Sequence, residues 1–319
     1  MTLRRVWMLS VVTVINVVLS ACSTLSGTDD SSGIAYACGE LDIRVSRGEK
    51  SNLLNVEYQD KHLLLKSSES ASGALYIAPG EDDTRFWSKG EKARFTVQGE
   101  TYPECLQPGD VSMPFEAGGN EPFWHVTVDS SNLVLLRPYE QGPALTLPVE
   151  VIESNRHGRV FGAEGENIRV VLTVARQLCE DTMSDAQFPN QAQLDVNGEV
   201  FNGCGGDPER LFRGVEWQVQ KLGNDALIER SRATIRFLAD NRIAGEASCN
   251  RFSGRYRLTG EGRLVVTGIV STRMACASEL MAQEQRFLEM LGQASRLTIG
   301  RNGELRLISE GGRNITATH

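Results

Sequence analysis

Motifs that carry catalytic chemistry are missing from this chain of 319 residues. It has no Gly-x-Ser-x-Gly, no His-Glu-x-x-His and no glycine loop of the phosphate-cradling kind, so the usual signatures of hydrolases, zinc proteases and nucleotide enzymes are absent. It has no Cys-x-x-Cys, and neither a thiol redox pair nor a zinc knuckle is expected. Its four histidines, His62, His125, His157 and His319, do not lie at metal-ligand spacing from one another. Carboxylates are plentiful but dispersed, and the run Glu81-Asp82-Asp83 reads as a solvated loop tip. No catalytic residue, metal or cofactor is expected, and the chain is not read as an enzyme. A basic excess is lacking too. The formal charge is −8, and phosphate contacts need a basic face, so nucleic acid is excluded as a partner. An acidic chain suits a basic partner, because opposite net charge speeds encounter.

The apolar run from Val6 to Val18 follows Arg4 and Arg5 and ends in Leu19-Ser20-Ala21-Cys22. It is short of the ~20 apolar residues a spanning helix needs. A positive start, an apolar stretch and small residues before a cysteine make a secretory signal. Leu19 to Cys22 resembles the bacterial lipobox. That resemblance implies lipidation of Cys22, which becomes the first mature residue and anchors the chain in a membrane. Ser23 is not acidic, which by the same resemblance implies the outer membrane of a Gram-negative bacterium, facing the periplasm. The alternatives are an ordinary signal cut after Ala21 and an uncleaved anchor. Loss of residues 1–21 removes Arg4 and Arg5 and takes the formal charge from −8 to −10.

With Cys22 assigned to lipid, six cysteines remain. An even number in an exported chain implies disulfides, and six allow 15 connectivities in principle. They fall in three successive pairs, each within one segment set off by composition. The expected bridges are Cys38–Cys105, Cys179–Cys204 and Cys249–Cys276.

The segments are a signal (1–21), a flexible tether rich in Ser, Thr, Gly and Asp (22–34), a first domain (35–106), a Pro/Gly linker (107–119), a second domain (120–207) and a third (208–319). The first shows short alternating runs, such as Leu41-Asp42-Ile43-Arg44-Val45 and Ala93-Arg94-Phe95-Thr96-Val97, which predict a small antiparallel β-barrel. About 70 residues make a thin core, so a bridge closing its ends is physically sensible. In the second, Trp124–Val128 and Leu133–Leu136 predict a hairpin across Asp129–Asn132, and Ala192–Phe201 reads as strand, turn, strand. The third mixes strands with one helix, Ser278 to Leu291, whose stripe is Leu280, Met281, Phe287, Leu288 and Leu291. Ser278 is placed to cap it and Gly292 to end it. The predicted fold class is mainly β, with the helix packed on a curved antiparallel sheet in the third domain.

The first domain carries Tyr36-Ala37-Cys38, then Ser72-Gly73-Ala74-Leu75-Tyr76, then Phe86-Trp87-Ser88-Lys89-Gly90, then Tyr102-Pro103-Glu104-Cys105. In this order the four pieces resemble the MliC family of membrane-bound inhibitors of c-type lysozyme. The resemblance implies a c-type lysozyme as protein partner, with loops at Ser72 and Lys89 entering its cleft. Lysozyme works with two carboxyl groups. A hydroxyl at Ser72 would bond the acid and an ammonium at Lys89 would pair with the ionised carboxylate. Gly73 would let the backbone approach closely, and Tyr76 would brace the loop or add a rim contact. The chain departs from the pattern at Leu75, where arginine is frequent, at Ser88, where threonine is usual, and in a longer acidic loop, Gly80 to Asp83.

In the third domain, Gly245 to Tyr256, containing Ser248-Cys249-Asn250-Arg251-Phe252, leads to Ser271-Thr272-Arg273-Met274-Ala275-Cys276 and a helix with Met281, Glu284 and Phe287. With Trp217 and Leu305-Arg306-Leu307 these resemble the META, or HslJ-like, domain, a family linked broadly to envelope stress. Arg251 and Arg273 are candidates either to pair with carboxylates such as Glu284 or to form a surface site. The middle segment, with Asn120-Glu121-Pro122-Phe123-Trp124, resembles an uncharacterised lipoprotein module. Asn120, Glu121 and Trp124 either face a ligand or start a strand around one buried aromatic. Two functions stand: a lysozyme inhibitor on the outer membrane, or a non-inhibitory envelope lipoprotein whose last two domains bind another partner. Oligomeric state is left open.

Overall fold

The computed structural model describes residues 33–138, 143–260 and 262–319. The expected signal 1–21, the expected lipidation site Cys22 and the expected tether up to residue 32 lie outside the described residues.

The first domain is built from β1 (Ile34–Cys38), β2 (Leu41–Arg47), β3 (Leu53–Tyr58), β4 (Lys61–Ser68), β5 (Ala74–Ala78), β6 (Glu81–Lys89), β7 (Lys92–Val97), β8 (Glu100–Thr101) and β9 (Cys105–Leu106). The strands run in the order β6-β5-β4-β3-β2-β1-β9-β7, and pairing of β6 with β7 closes the barrel. Alternation decides which side chains enter it: Leu41, Ile43 and Val45 are buried while Asp42 and Arg44 face out. Phe86 and Phe95 fill the interior, with Tyr58 edge-on to Phe95 at 5.2 Å. Cys38–Cys105 joins the first strand to the last beside the Ala37–Leu106 pairing.

The second domain is also a closed barrel. It uses β10 (Phe115–Asn120), β11 (Phe123–Val128), β12 (Asn132–Leu136), β13 (Leu145–Asn155), β14 (Gly158–Gly165) and β15 (Ile168–Ala175), then a small hairpin of β16 (Cys179–Glu180) and β17 (Gln187–Phe188), then β18 (Asn190–Val196) and β19 (Glu199–Gly205). The residues read as a linker end in strand, because Phe115 and Ala117 point into this barrel and are buried. Asp129 holds the expected hairpin turn by accepting from the N–H groups of Ser131 and Asn132, both at 2.7 Å. Those bonds hold its carboxyl below the usual range. Asn197 and Gly198 both have positive φ (54° and 90°), the requirement of a two-residue turn between β18 and β19. Trp124 is buried inside the barrel, and Cys179–Cys204 ties the small hairpin to β19.

The third domain is a curved antiparallel sheet of β20 (Glu216–Leu222), β21 (Asp225–Ala226), β22 (Thr234–Leu238), β23 (Arg242–Glu246), β24 (Arg251–Leu258), β25 (Leu264–Ser271), β26 (Ala294–Ile299), β27 (Leu305–Ser309) and β28 (Asn314–Thr318), with α1 (Ser278–Gly292) packed on it. Its order is β25-β24-β23-β22-β20-β28-β27-β26, with β21 on the edge of β20. The helix departs from expectation in two ways. The chain arrives extended from the Cys249–Cys276 bridge, so Ala277 takes the N-cap position and Ser278 opens the first turn without a side-chain cap bond. The buried face is Gln283, Glu284, Phe287, Met290 and Leu291, and Met281 is exposed. Two polar side chains are buried because they satisfy donors. Glu284 accepts from Asn250 N (2.9 Å) and Asn250 Nδ2 (3.1 Å), and Gln283 accepts from Ile228 N at 2.7 Å. The pairing of Arg251 or Arg273 with Glu284 is therefore replaced by Asn250.

The hydrophobic core runs continuously from the first domain into the third, whereas the second barrel has a core of its own. The turn at Pro208–Leu211 makes the junction. Arg210 donates to the carbonyls of Glu104 (2.7 Å) and Ala37 (2.8 Å), and Glu40 N donates to Arg213 O at 2.8 Å. Glu40 Oε2 lies 3.7 Å from His319 Nε2. Burial, with Asp42 adding repulsion, pushes the Glu40 carboxyl up to about 7 from 4.5. The folded protein thus binds a proton here that the unfolded chain releases, so the contribution of this one group to stability is full below about pH 4.5 and is lost as pH rises through 7. Glu40→Gln should leave thermal stability nearly unchanged at pH 4.5 and raise it at pH 8. A melting series that places the variant below the parent at pH 8 would show that the charged carboxylate stabilises the junction.

Candidate functional site

Ser72, Gly73 and Lys89 come together at one end of the first barrel. Ala74 is paired with Ser88 across β5 and β6, which sets the Ser72–Gly73 turn beside the last residues of β6. Lys89 is paired with Lys92 across the Gly90–Glu91 turn that leads to β7. Ser72 and Lys89 are exposed. Among the described residues, no carboxylate pairs with the Lys89 ammonium.

The Ser72 loop is held by three features. Gly73 has φ +70°, and a Cβ there would sit 2.4 Å from Ser88 O and 3.1 Å from the Trp87 ring, so only glycine fits. Trp87 Nε1 donates to Ser72 O at 2.8 Å. Ser70 Oγ donates to the same carbonyl at 2.6 Å. With the backbone fixed this way, Ser72 itself stays exposed. The indole bond to Ser72 had no expression in the sequence beyond the aromatic pair Phe86-Trp87 ahead of Ser88-Lys89.

The Lys89 hairpin is held from the neighbouring barrel. Glu91, in the turn itself, pairs with Arg159 of β14, and Arg159 also pairs with Asp110 at 3.0 Å. Burial raises the Asp110 carboxyl despite that guanidinium. Lys92 pairs with Glu104 at 3.5 Å, and Gln107 N donates to Glu91 O. Every cation but Lys89 in this turn is engaged with a carboxylate.

Tyr76 sits apart from this pair. It is half-buried, paired with Phe86 across the sheet and packed on the core, which suits a brace under the loop. The departures from the family pattern fall elsewhere. Leu75 faces out opposite Trp87, in a 430 Å³ groove with Arg85, Trp87 and Arg94. Glu81 to Asp83 lie at the other end of β6, about 20–26 Å from Lys89 at ~3.3 Å per residue. The acidic loop is thus remote from the Ser72–Lys89 end.

In the second domain, Asn120 Nδ2 donates to Asp181 Oδ2 at 2.7 Å, Trp124 is core, and Glu121 is exposed in the β10–β11 turn. No cluster of His, Cys, Asp and Glu suited to a metal occurs among the described residues.

Residues 36–103 match the family model described as membrane-bound lysozyme-inhibitor of c-type lysozyme, and residues 210–319 match that of the META domain. The chain therefore carries these two modules in the order its motifs imply, with the second barrel between them. Among solved structures, an NMR structure of a protein from Burkholderia xenovorans is 21% identical, covering 34% of this chain and 83% of that one with a TM-score of 0.29. A second NMR structure is 25% identical, covering 34% of this chain and 90% of that one with a TM-score of 0.29. No curated protein matches the chain.

If the loop geometry is set by Gly73 and Trp87, Gly73→Ala should shift the Ser72 turn and lower stability by about 1–3 kcal/mol, the range for strain at a special backbone position. Trp87→Phe, which keeps the ring and removes the donor, should cost about 1 kcal/mol. Faster amide exchange at residues 71–73 in both variants is the check. Unchanged exchange would mean that the strands alone fix the turn.

Proposed function

We propose that this protein binds and inhibits a c-type lysozyme by placing Ser72 and Lys89 in the enzyme's cleft, and that it does so from the outer membrane, held by lipid on Cys22 and facing the periplasm. The observation that carries the reading is the exposed, unpaired Lys89 ammonium beside a Ser72 loop whose backbone is fixed.

The chemistry follows from what the cleft contains. One lysozyme carboxyl is the acid and the other is the ionised nucleophile or stabiliser. Ser72 Oγ bonds the acid and the Lys89 ammonium pairs with the carboxylate, so both occupy the place of the reacting sugar. Charge-assisted bonds of this kind contribute about 1.5–3 kcal/mol each. A fixed loop loses little entropy on docking, which is what the Trp87 bond and the Gly73 turn supply. No turnover and no cofactor enter this reading, in keeping with a family named for inhibition. The META domain and the second barrel act in the same lipoprotein without contributing to the cleft contacts.

The test is residual activity of a c-type lysozyme titrated with the oxidised chain from Ser23 onward, beside Ser72→Ala/Lys89→Ala. Stoichiometric inhibition, weakened about a hundredfold or more in the variant, is the expected result. Absence of inhibition by folded protein would instead favour the envelope lipoprotein whose other domains bind a different partner.

A further inference from the structure

Charge is divided unevenly along the chain. Residues 208–319 hold 17 arginines and lysines against 12 aspartates and glutamates, a formal +5, in a chain whose total is −8. Much of this positive charge is neutralised where it stands: Arg236 pairs with Glu100 at 2.9 Å, Arg263 with Glu310 at 2.8 Å and Arg286 with Asp225 at 2.9 Å.

One group is not. Arg242 on β23 and Arg255 and Arg257 on β24 are exposed, and none has a hydrogen-bonding or ionic partner for its guanidinium among the described residues. Alternation along β24 points Phe252 and Tyr256 into the core and Arg251, Ser253, Arg255 and Arg257 to solvent. Arg242 stands directly opposite Arg255 in the ladder. Like charges at facing positions destabilise a sheet, and among the described residues no carboxylate forms an ion pair with either guanidinium. Glu246, opposite Arg251, has its carboxylate 3.5 Å from Arg232.

The surroundings are partly apolar. On β25, Val265 faces Arg257 and Val270 faces Ser253, and Val270 is 64% exposed. Arg251 to Arg257 spreads the charge over roughly 20 Å of strand at ~3.3 Å per residue. A single small anion needs convergent donors. A row of guanidinium groups on an open sheet, flanked by aliphatic side chains, matches a repeating array of phosphates above an apolar layer. Guanidinium is weakly hydrated and pairs with phosphate in a forked geometry.

We propose that this face of the META domain docks on the surface of a bilayer containing anionic phospholipid, with Arg242, Arg255 and Arg257 on the headgroup phosphates and Val265 and Val270 against the interface. Each basic side chain at such a surface strengthens partition by roughly fivefold, within a Debye length of ~10 Å at 0.1 M salt. The inference does not rest on lysozyme inhibition. It gives the third domain a membrane contact of its own, beside any lipid at the N-terminus.

The test uses the chain from Ser23 to His319, which keeps every described residue and lacks the lipid-bearing cysteine. Co-sedimentation with vesicles of phosphatidylcholine alone, and with vesicles containing about a third phosphatidylglycerol, is compared at low and high salt. The expected result is binding to the anionic vesicles only, lost at high salt, and at least tenfold weaker in Arg242→Glu/Arg255→Glu/Arg257→Glu. The Arg→Gln triple variant, which cannot introduce new repulsion, should show the same loss with an unchanged melting temperature. Equal binding by parent and Gln variant, or no binding of the parent to either vesicle, would overturn the proposal. Capture of soluble polyphosphate without vesicle binding would overturn it too, because the face would then be an anion site of another kind.

Discussion

The rest of the architecture depends on the contact that Arg210 makes with Ala37 and Glu104. Those two carbonyls flank the bridge that ties the first barrel's opening strand to its closing one, and the arginine that binds them starts the third domain. One guanidinium therefore joins the beginning of the described chain to its last third, across 173 residues of sequence. Around it the backbone is close-packed: Gly214 leaves no room for a Cβ against Cys38 O, and Gly39 leaves none against Arg213 O. The second barrel is spliced between two domains that share one core, so its own core can remain separate without loosening the whole.

That arrangement bears on the loop end of the first barrel. A closed barrel has no free edges, and its rims are where exposed turns can be presented on a rigid base. The Ser72 turn is fixed from within its own barrel by Trp87, whereas the Lys89 hairpin is fixed from outside by Arg159 of the second. Preorganisation of a binding loop reduces the ordering cost of association. Here it comes from two domains at once, and the acidic loop that departs from the family pattern is placed at the far end of the same strand.

Much of this was legible in residues alone. Period-two alternation marked the strands of both barrels, Ala192–Phe201 read as strand, turn, strand, and the spacing of six cysteines within three segments matched the bridges seen. What could not be read were interactions between residues far apart in sequence. The face of α1 was assigned from apolar spacing, yet Gln283 and Glu284 are buried because donors at Ile228 and Asn250 need them. Phe115 and Ala117 stood among prolines and glycines that spoke for a linker, and it is pairing with β11, with β19 closing the barrel at Ala117, that draws them into strand. The shared core of the first and third domains left no periodic mark at all.

The central claim is occupation of the lysozyme cleft by the Ser72–Lys89 end. Its most direct test is the affinity of the oxidised chain for lysozyme measured with and without a saturating chitooligosaccharide in the enzyme's active site. The account predicts mutual exclusion, with the apparent dissociation constant rising in proportion to the sugar. Undiminished binding to the sugar-filled enzyme would contradict it, because contact would then lie outside the cleft.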